Sequence, residues 1–257
     1  MSSKNKPGND LFLYLLRLGD TSLVLSHRLA EWCGHGPILE EDIAMTNISL
    51  DLIGQARILL GYASRVEGKG RSEDDLAYLR EERAFYNVLL AEQPNGDFAC
   101  TMVRQLFISS YQFFLFEALQ KSADETIAAF AAKSLKEVTY HLRHSSEWVL
   151  RLGDGTAESR EKTVQAVNEL WMYTRDLFDM DSVDRNLLTA GIAPDMNLVK
   201  EKWEQKITGV LKESTIPVPP SDAWMASGSR EGKHTEHLGY LLAEMQILPR
   251  TYPGASW

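Results

Sequence analysis

The chain has 257 residues, 44% hydrophobic and 25% charged, with 27 lysines and arginines against 36 aspartates and glutamates for a formal net charge of −9. That length allows a substantial core, and the acidic balance argues against nucleic-acid binding and against a polybasic membrane anchor. Two cysteines, Cys33 and Cys100, without C-x-x-C spacing, exclude a zinc ribbon, an iron–sulfur cluster and a disulfide framework, and both are expected as buried small hydrophobes.

The first ten residues are polar and expected to fray. From Leu11 to about Trp32 the sequence reads as a strongly apolar helix, ended by Gly34, Gly36 and Pro37 of "CGHGP". No uninterrupted apolar run approaches about 18 residues, and "LFLYLL" is followed at once by Arg17 and Asp20 with no cleavage site, so a cytoplasmic protein is expected. A second helix fits Leu39 to Val66, closed by "EGKGRS". A shorter, charged helix is expected from Glu73 to Glu92, stopped by "QPNG". The next, Asp97 to about Lys121, is apolar nearly all round and should be central.

Further helices fit Asp124 to Leu152, ending at "GDG", and Ser159 to Phe178. Beyond Asp181 the pattern weakens to a helix around Met196 to Lys212, the breaker "IPVPP", a Gly/Ser loop and a last helix near Thr235 to Leu248. No strand alternation longer than four residues and no internal repeat is found. The expectation is an all-α single domain over 1–257. Four long helices would form a ferritin-like four-helix bundle over about 10–180, with additional C-terminal helices over about 181–257.

Chemistry is suggested by "KEVTYHLRHSSEW" at residues 136–148. At about 100° per residue, Glu137, His141, His144 and Trp148 share one stripe, beside a core stripe of Leu135, Val138, Leu142, Ser145, Val149 and Leu152. Each other long helix also carries an acid among apolar neighbours: Asp20 on one stripe with Arg17, Val24 and His27, Asp51 with Asn47 and Gln55, and Glu117 with Leu106, Ser110 and Phe113. Buried carboxylates cost several kcal/mol unless paired or bound to metal.

A di-iron site in a bundle takes a carboxylate from each of two helices and Glu-x-x-His from each of the other two. Here Gly54 stands three residues after Asp51, and Tyr140 three after Glu137; His141 comes one place late. Of the six histidines only His234 follows a glutamate, Glu231, by three, and that pair lies in the loop "SGSREGKHTEH". Two readings stand. In one, Arg17, Asn47, Gln55 and His141 satisfy the acids in a structural network. In the other, Glu137 and His141 at i, i+4 are atypical ligands of a di-iron oxygenase or ferroxidase.

The block "YLLRLGDTSLVLSHRLAEWCGHGPILEEDIAMTNISLDLIGQAR" closely resembles the non-catalytic ferritin-like subunits of bacterial phenylacetyl-CoA epoxidases, the ring-1,2-epoxidising complexes. "AEQPNGDFACTMVRQLF", "KEVTYHLRH", "RLGDGT" and "HTEHLGYLLAEMQ" continue the resemblance over about Leu11 to Trp257. It implies a sister catalytic subunit, also ferritin-like, that holds the di-iron centre and epoxidises phenylacetyl-CoA, fed electrons by a flavin and iron–sulfur reductase. This chain would hold no cofactor and no catalytic ligand. Asp20, Asp51, Gly54, Glu117, Glu137, Tyr140 and His141 would mark a degenerate site. The first two long helices would be the docking surface. The aromatic residues Trp224, Tyr240, Tyr252 and Trp257 either add a second partner contact or wrap their own bundle.

Overall fold

A computed structural model of the chain describes residues 7–220 and 222–255. The molecule is 72% helical and the described residues contain no strand, which is the expected all-α class of ferritin-like helical bundles. The helices are α1 (Pro7–Ala30), α2 (Leu39–Glu67), α3 (Glu73–Tyr78), α4 (Phe98–Leu119), α5 (Glu125–Gly153), α6 (Ala157–Trp171), α7 (Ser182–Thr189), α8 (Met196–Glu213) and α9 (Glu236–Thr251).

Local chemistry sets most boundaries. Asp97 and Asp124 accept from the amides of Cys100 and Ile127 and so start α4 and α5. Gly68 ends α2 in the left-handed region at φ 66°, its amide donating to the Ser64 carbonyl. Residues 1–6 lie outside the described residues, but 7–10 are helical rather than frayed. Asp10 there is buried and accepts from Asn186 Nδ2 at 2.8 Å.

One helix from Glu73 to Glu92 does not form. α3 stops after Tyr78, and only short 3₁₀ turns follow at Glu82–Ala84 and Leu89–Glu92. The cause is tertiary. Arg80 turns its guanidinium onto the carbonyls of Leu76 and Ala84 and onto Asp20, and the Tyr86 amide donates to Asp20 at 2.9 Å. Those bonds need an irregular chain. Likewise α6 ends at Trp171 rather than continuing to Phe178, and α7 was not foreseen. The cysteines are corrected too: Cys33 is exposed in the turn after α1 and Cys100 half-exposed in the first turn of α4.

The chain divides into two compact units. One comprises Met1–Pro94, Asp181–Leu187 and Gly228–Trp257; the other comprises Asn95–Met180 and Leu188–Ser227. In the first, α1 runs closely along α2. Ser26 and Ser49 each donate a hydroxyl to the other's carbonyl at 2.9 Å, and a Cβ at Gly19 would press on Leu60. α2 is the one described helix long and apolar enough to cross a membrane, with half of its most apolar window buried.

In the second unit α4 is sheathed by α5, α6 and α8. Every residue from Thr101 to Gln112 is buried, so the all-round apolar pattern does mark a central helix. Trp203 of α8 fixes the contact by donating its indole N–H to the Phe107 carbonyl at 2.8 Å, among the rings of Phe107, Trp171 and Phe178.

Candidate functional site

The residues singled out in the sequence fall into both units. In the first, Asp20 is fully buried on α1 and accepts from both terminal guanidinium nitrogens of Arg80 and from the Tyr86 amide. Its oxygens are therefore committed to a cation and a backbone donor, the arrangement a buried carboxylate requires. Arg17, the cation on Asp20's own stripe, points elsewhere. It reaches Asp181 at 2.5 Å and Asp184 at 2.9 Å, holding the start of α7.

Burial pushes the Asp181 carboxyl up, but the Arg17 guanidinium outweighs it and holds that carboxyl well below the usual carboxylate range. On the same face His27 is pushed down by burial. Asp51 is half-buried and Gln55 buried, but Asn47 is exposed and so does not serve the interior acids as expected. A Cβ at Gly54 would meet nothing within 4 Å; the position opens into a groove lined by Leu50, Ile53, Arg57, Glu73 and Tyr78.

In the second unit Glu117 is not a core acid. It lies beyond the continuously buried run of α4, on the flank facing α8, and pairs with Lys202 at 2.7 Å with 44% of its side chain exposed. Glu137, His144 and Trp148 are half-buried, the half-core flank expected of them, and His141 is buried. Tyr140 is exposed, its ring stacked on His144 at 5.9 Å between centroids and Arg143 set over it. The place three residues after Glu137 thus faces out, not toward a bundle interior.

The donor set does not fit a di-iron centre. Asp20 is occupied by Arg80, Glu117 by Lys202, and the third places after Asp51 and Glu137 carry no imidazole. Among the described residues no three His, Cys, Asp or Glu side chains converge as a metal-binding group.

Arg80, Asp181, Asp184 and Glu92 carry no spacing signal in the sequence, and His234 stands there only as half of a Glu-x-x-His pair. In the fold His234 turns away from that reading: Nδ1 meets Glu92 and Nε2 the Phe85 carbonyl, both at 2.9 Å. The only available signal was that a buried Asp20 needs a cation, and nothing in spacing says which.

A cavity of about 690 Å³ in the second unit is lined by Trp171, Phe178 and Trp203 together with Pro219 and Met225. Its two cations are already paired, Arg175 with Asp179 at 3.6 Å and Lys200 with Glu204 at 3.7 Å.

Two surfaces remain open. On α2, Leu39, Ile43 and Leu50 are 71%, 52% and 61% exposed and recur at one helical face. Of the aromatic candidates, Trp224, Tyr240 and Tyr252 are exposed, and Trp257 lies outside the described residues.

A family model described as phenylacetic acid catabolic protein matches residues 2–257. The chain is also similar to one of the subunits of the 1,2-phenylacetyl-CoA epoxidase of Escherichia coli strain K12. The two are 51% identical over 249 residues, which cover 97% of this chain and 100% of that one.

Proposed function

The chain belongs to the phenylacetic acid catabolic protein family, and on that premise we propose that it is a structural, non-catalytic subunit of a multicomponent di-iron oxygenase that epoxidises the ring of phenylacetyl-CoA. It docks on a catalytic ferritin-like subunit that holds the di-iron centre, in a cytoplasmic complex completed by a flavin and iron–sulfur reductase. Nucleic acid and membrane have no part in this role.

The observation that carries the reading is the commitment of Asp20 to Arg80 inside the first unit. A helix-borne carboxylate that would serve a metal is here neutralised by a guanidinium, which makes it part of a scaffold. The exposed stripe of Leu39, Ile43 and Leu50 supports α2 as the docking face, since an apolar stripe on a polar surface favours a protein partner.

Elemental analysis of the protein, purified alone after iron-replete expression, tests the first half. Iron near zero per chain is the expected result. A value of about two would overturn the reading and return the chemistry to this chain, with Glu137 and His141 as its ligands.

A further inference from the structure

Glu92 and His234 stand 142 residues apart in sequence and meet with both side chains fully shielded from solvent. His234 Nε2 lies 2.9 Å from the Phe85 carbonyl oxygen. A carbonyl only accepts, so Nε2 carries a proton. Nδ1 lies 2.9 Å from Glu92 Oε2, which also accepts from Asn87 Nδ2 at 2.9 Å. Glu92 Oε1 accepts from the Thr235 amide at 2.6 Å. Two donors besides the imidazole, the Asn87 side-chain amide and the Thr235 amide, thus meet this carboxylate. If the imidazole were neutral, Nδ1 would be a bare acceptor facing a second acceptor, in a place water does not reach. The contact therefore requires a proton between Nδ1 and Oε2, and with that proton on the ring both nitrogens donate.

We propose that His234 and Glu92 form a proton-held latch that fastens Gly228–Thr251 to the residues following α3, and that loss of the Nδ1 proton opens it. The segment being held is tight. Gly232 is left-handed at φ 65°, and a Cβ there would strike the Arg83 carbonyl. Arg28 of α1 adds a second tie by donating to the backbone carbonyls of Glu92, at 3.1 and 2.9 Å, and of His237, at 3.1 Å.

The surrounding charges are these. Glu82 faces the ring and favours the cation. Arg80 lies over the Phe85 ring but is bound to Asp20. Lys233 is paired with Glu231 outside, at 2.5 Å. Glu236 and His237 begin α9. Burial opposes the charged ring, yet Glu92, the Phe85 carbonyl and Glu82 prevail and hold His234 above the ordinary imidazole range. The sign follows. A group raised on folding stabilises fully below its unfolded value of about 6.5, and that contribution is lost as pH rises through the folded value.

Hydrogen–deuterium exchange on the full chain, from about pH 6 to about pH 9.5 and corrected for intrinsic rates, tests the latch. Protection of the α9 amides is expected to fall with rising pH, by up to about tenfold per unit for one released proton. The amides of Thr101–Gln112 should not follow. In Glu92→Gln the side-chain amide donates to a neutral Nδ1, so α9 protection should lose its pH dependence. Nitrogen-15 spectra of the wild-type imidazole should show both ring nitrogens protonated at about pH 6. A bare Nδ1 at that pH, a wild-type α9 indifferent to pH, or an unchanged dependence in Glu92→Gln would each overturn the proposal.

Discussion

Asp20 and Arg80 illustrate how a buried acid is kept in a helical core. Neither side chain reaches solvent appreciably, and they are joined by two hydrogen bonds. Truncating the cation leaves the carboxylate with only the Tyr86 amide, so Arg80→Ala is expected to destabilise the protein by about 3–5 kcal/mol in urea denaturation. The pair was half legible. An aspartate between "LLRLG" and "LVL" announces a buried acid, but Arg80 lies 60 residues away, and the nearer Arg17 serves Asp181 and Asp184 instead.

That second cluster carries its own pH signature. Asp181 is depressed on folding, so its contribution is present above the unfolded value of about 3.9 and is lost as pH falls through the folded one. Asp181→Asn should therefore lower the urea midpoint at neutral pH and narrow the gap between neutral and strongly acidic conditions. An equal loss at both pH values would contradict this.

Elements were readable where one helix's own periodicity and caps decide them. α2, α4, α5 and α8 begin where their starts were expected, within a residue, because a glycine break or an aspartate cap stands at each junction. α3 was misread because Asp20, on another helix, captures the amide and guanidinium that would have prolonged it. α7 was missed because its start is held by Arg17, 164 residues away from Asp181. The candidate site was less legible still: acids were assigned to the interior by their neighbours' hydrophobicity, and Glu117 and Tyr140 sit on helix flanks that average cannot resolve. Between α4 and α8 the decisive element is Trp203. Its replacement by alanine removes a fully buried indole and a hydrogen bond to the Phe107 carbonyl, and is expected to cost about 3–5 kcal/mol by the same denaturation assay.

Across the whole molecule, what the chain presents outward matters more than what it encloses. Leu50 is exposed on the α2 stripe, so Leu50→Asp should leave thermal unfolding of the isolated protein nearly unchanged. Co-purification with the co-expressed catalytic subunit proposed above should fall sharply. A variant that still co-purifies in full would move the docking face off α2.

The first unit also takes its residues from both ends of the chain. Arg17 finds Asp181 only 164 residues later, and Glu92 finds His234 only 142 residues later. At about 5–20 residues per second, the ribosome delivers the second of these partners roughly 7–28 s after the first half of the contact has emerged. During that interval α1 and α2 can pair and Asp20 can meet Arg80; the ion pair of Arg17 waits for Asp181, and the shelf for α9 stands open until His234 arrives. A chain cut short near residue 225 would lack α9 and the His234 contact, and would leave the α9 shelf uncovered.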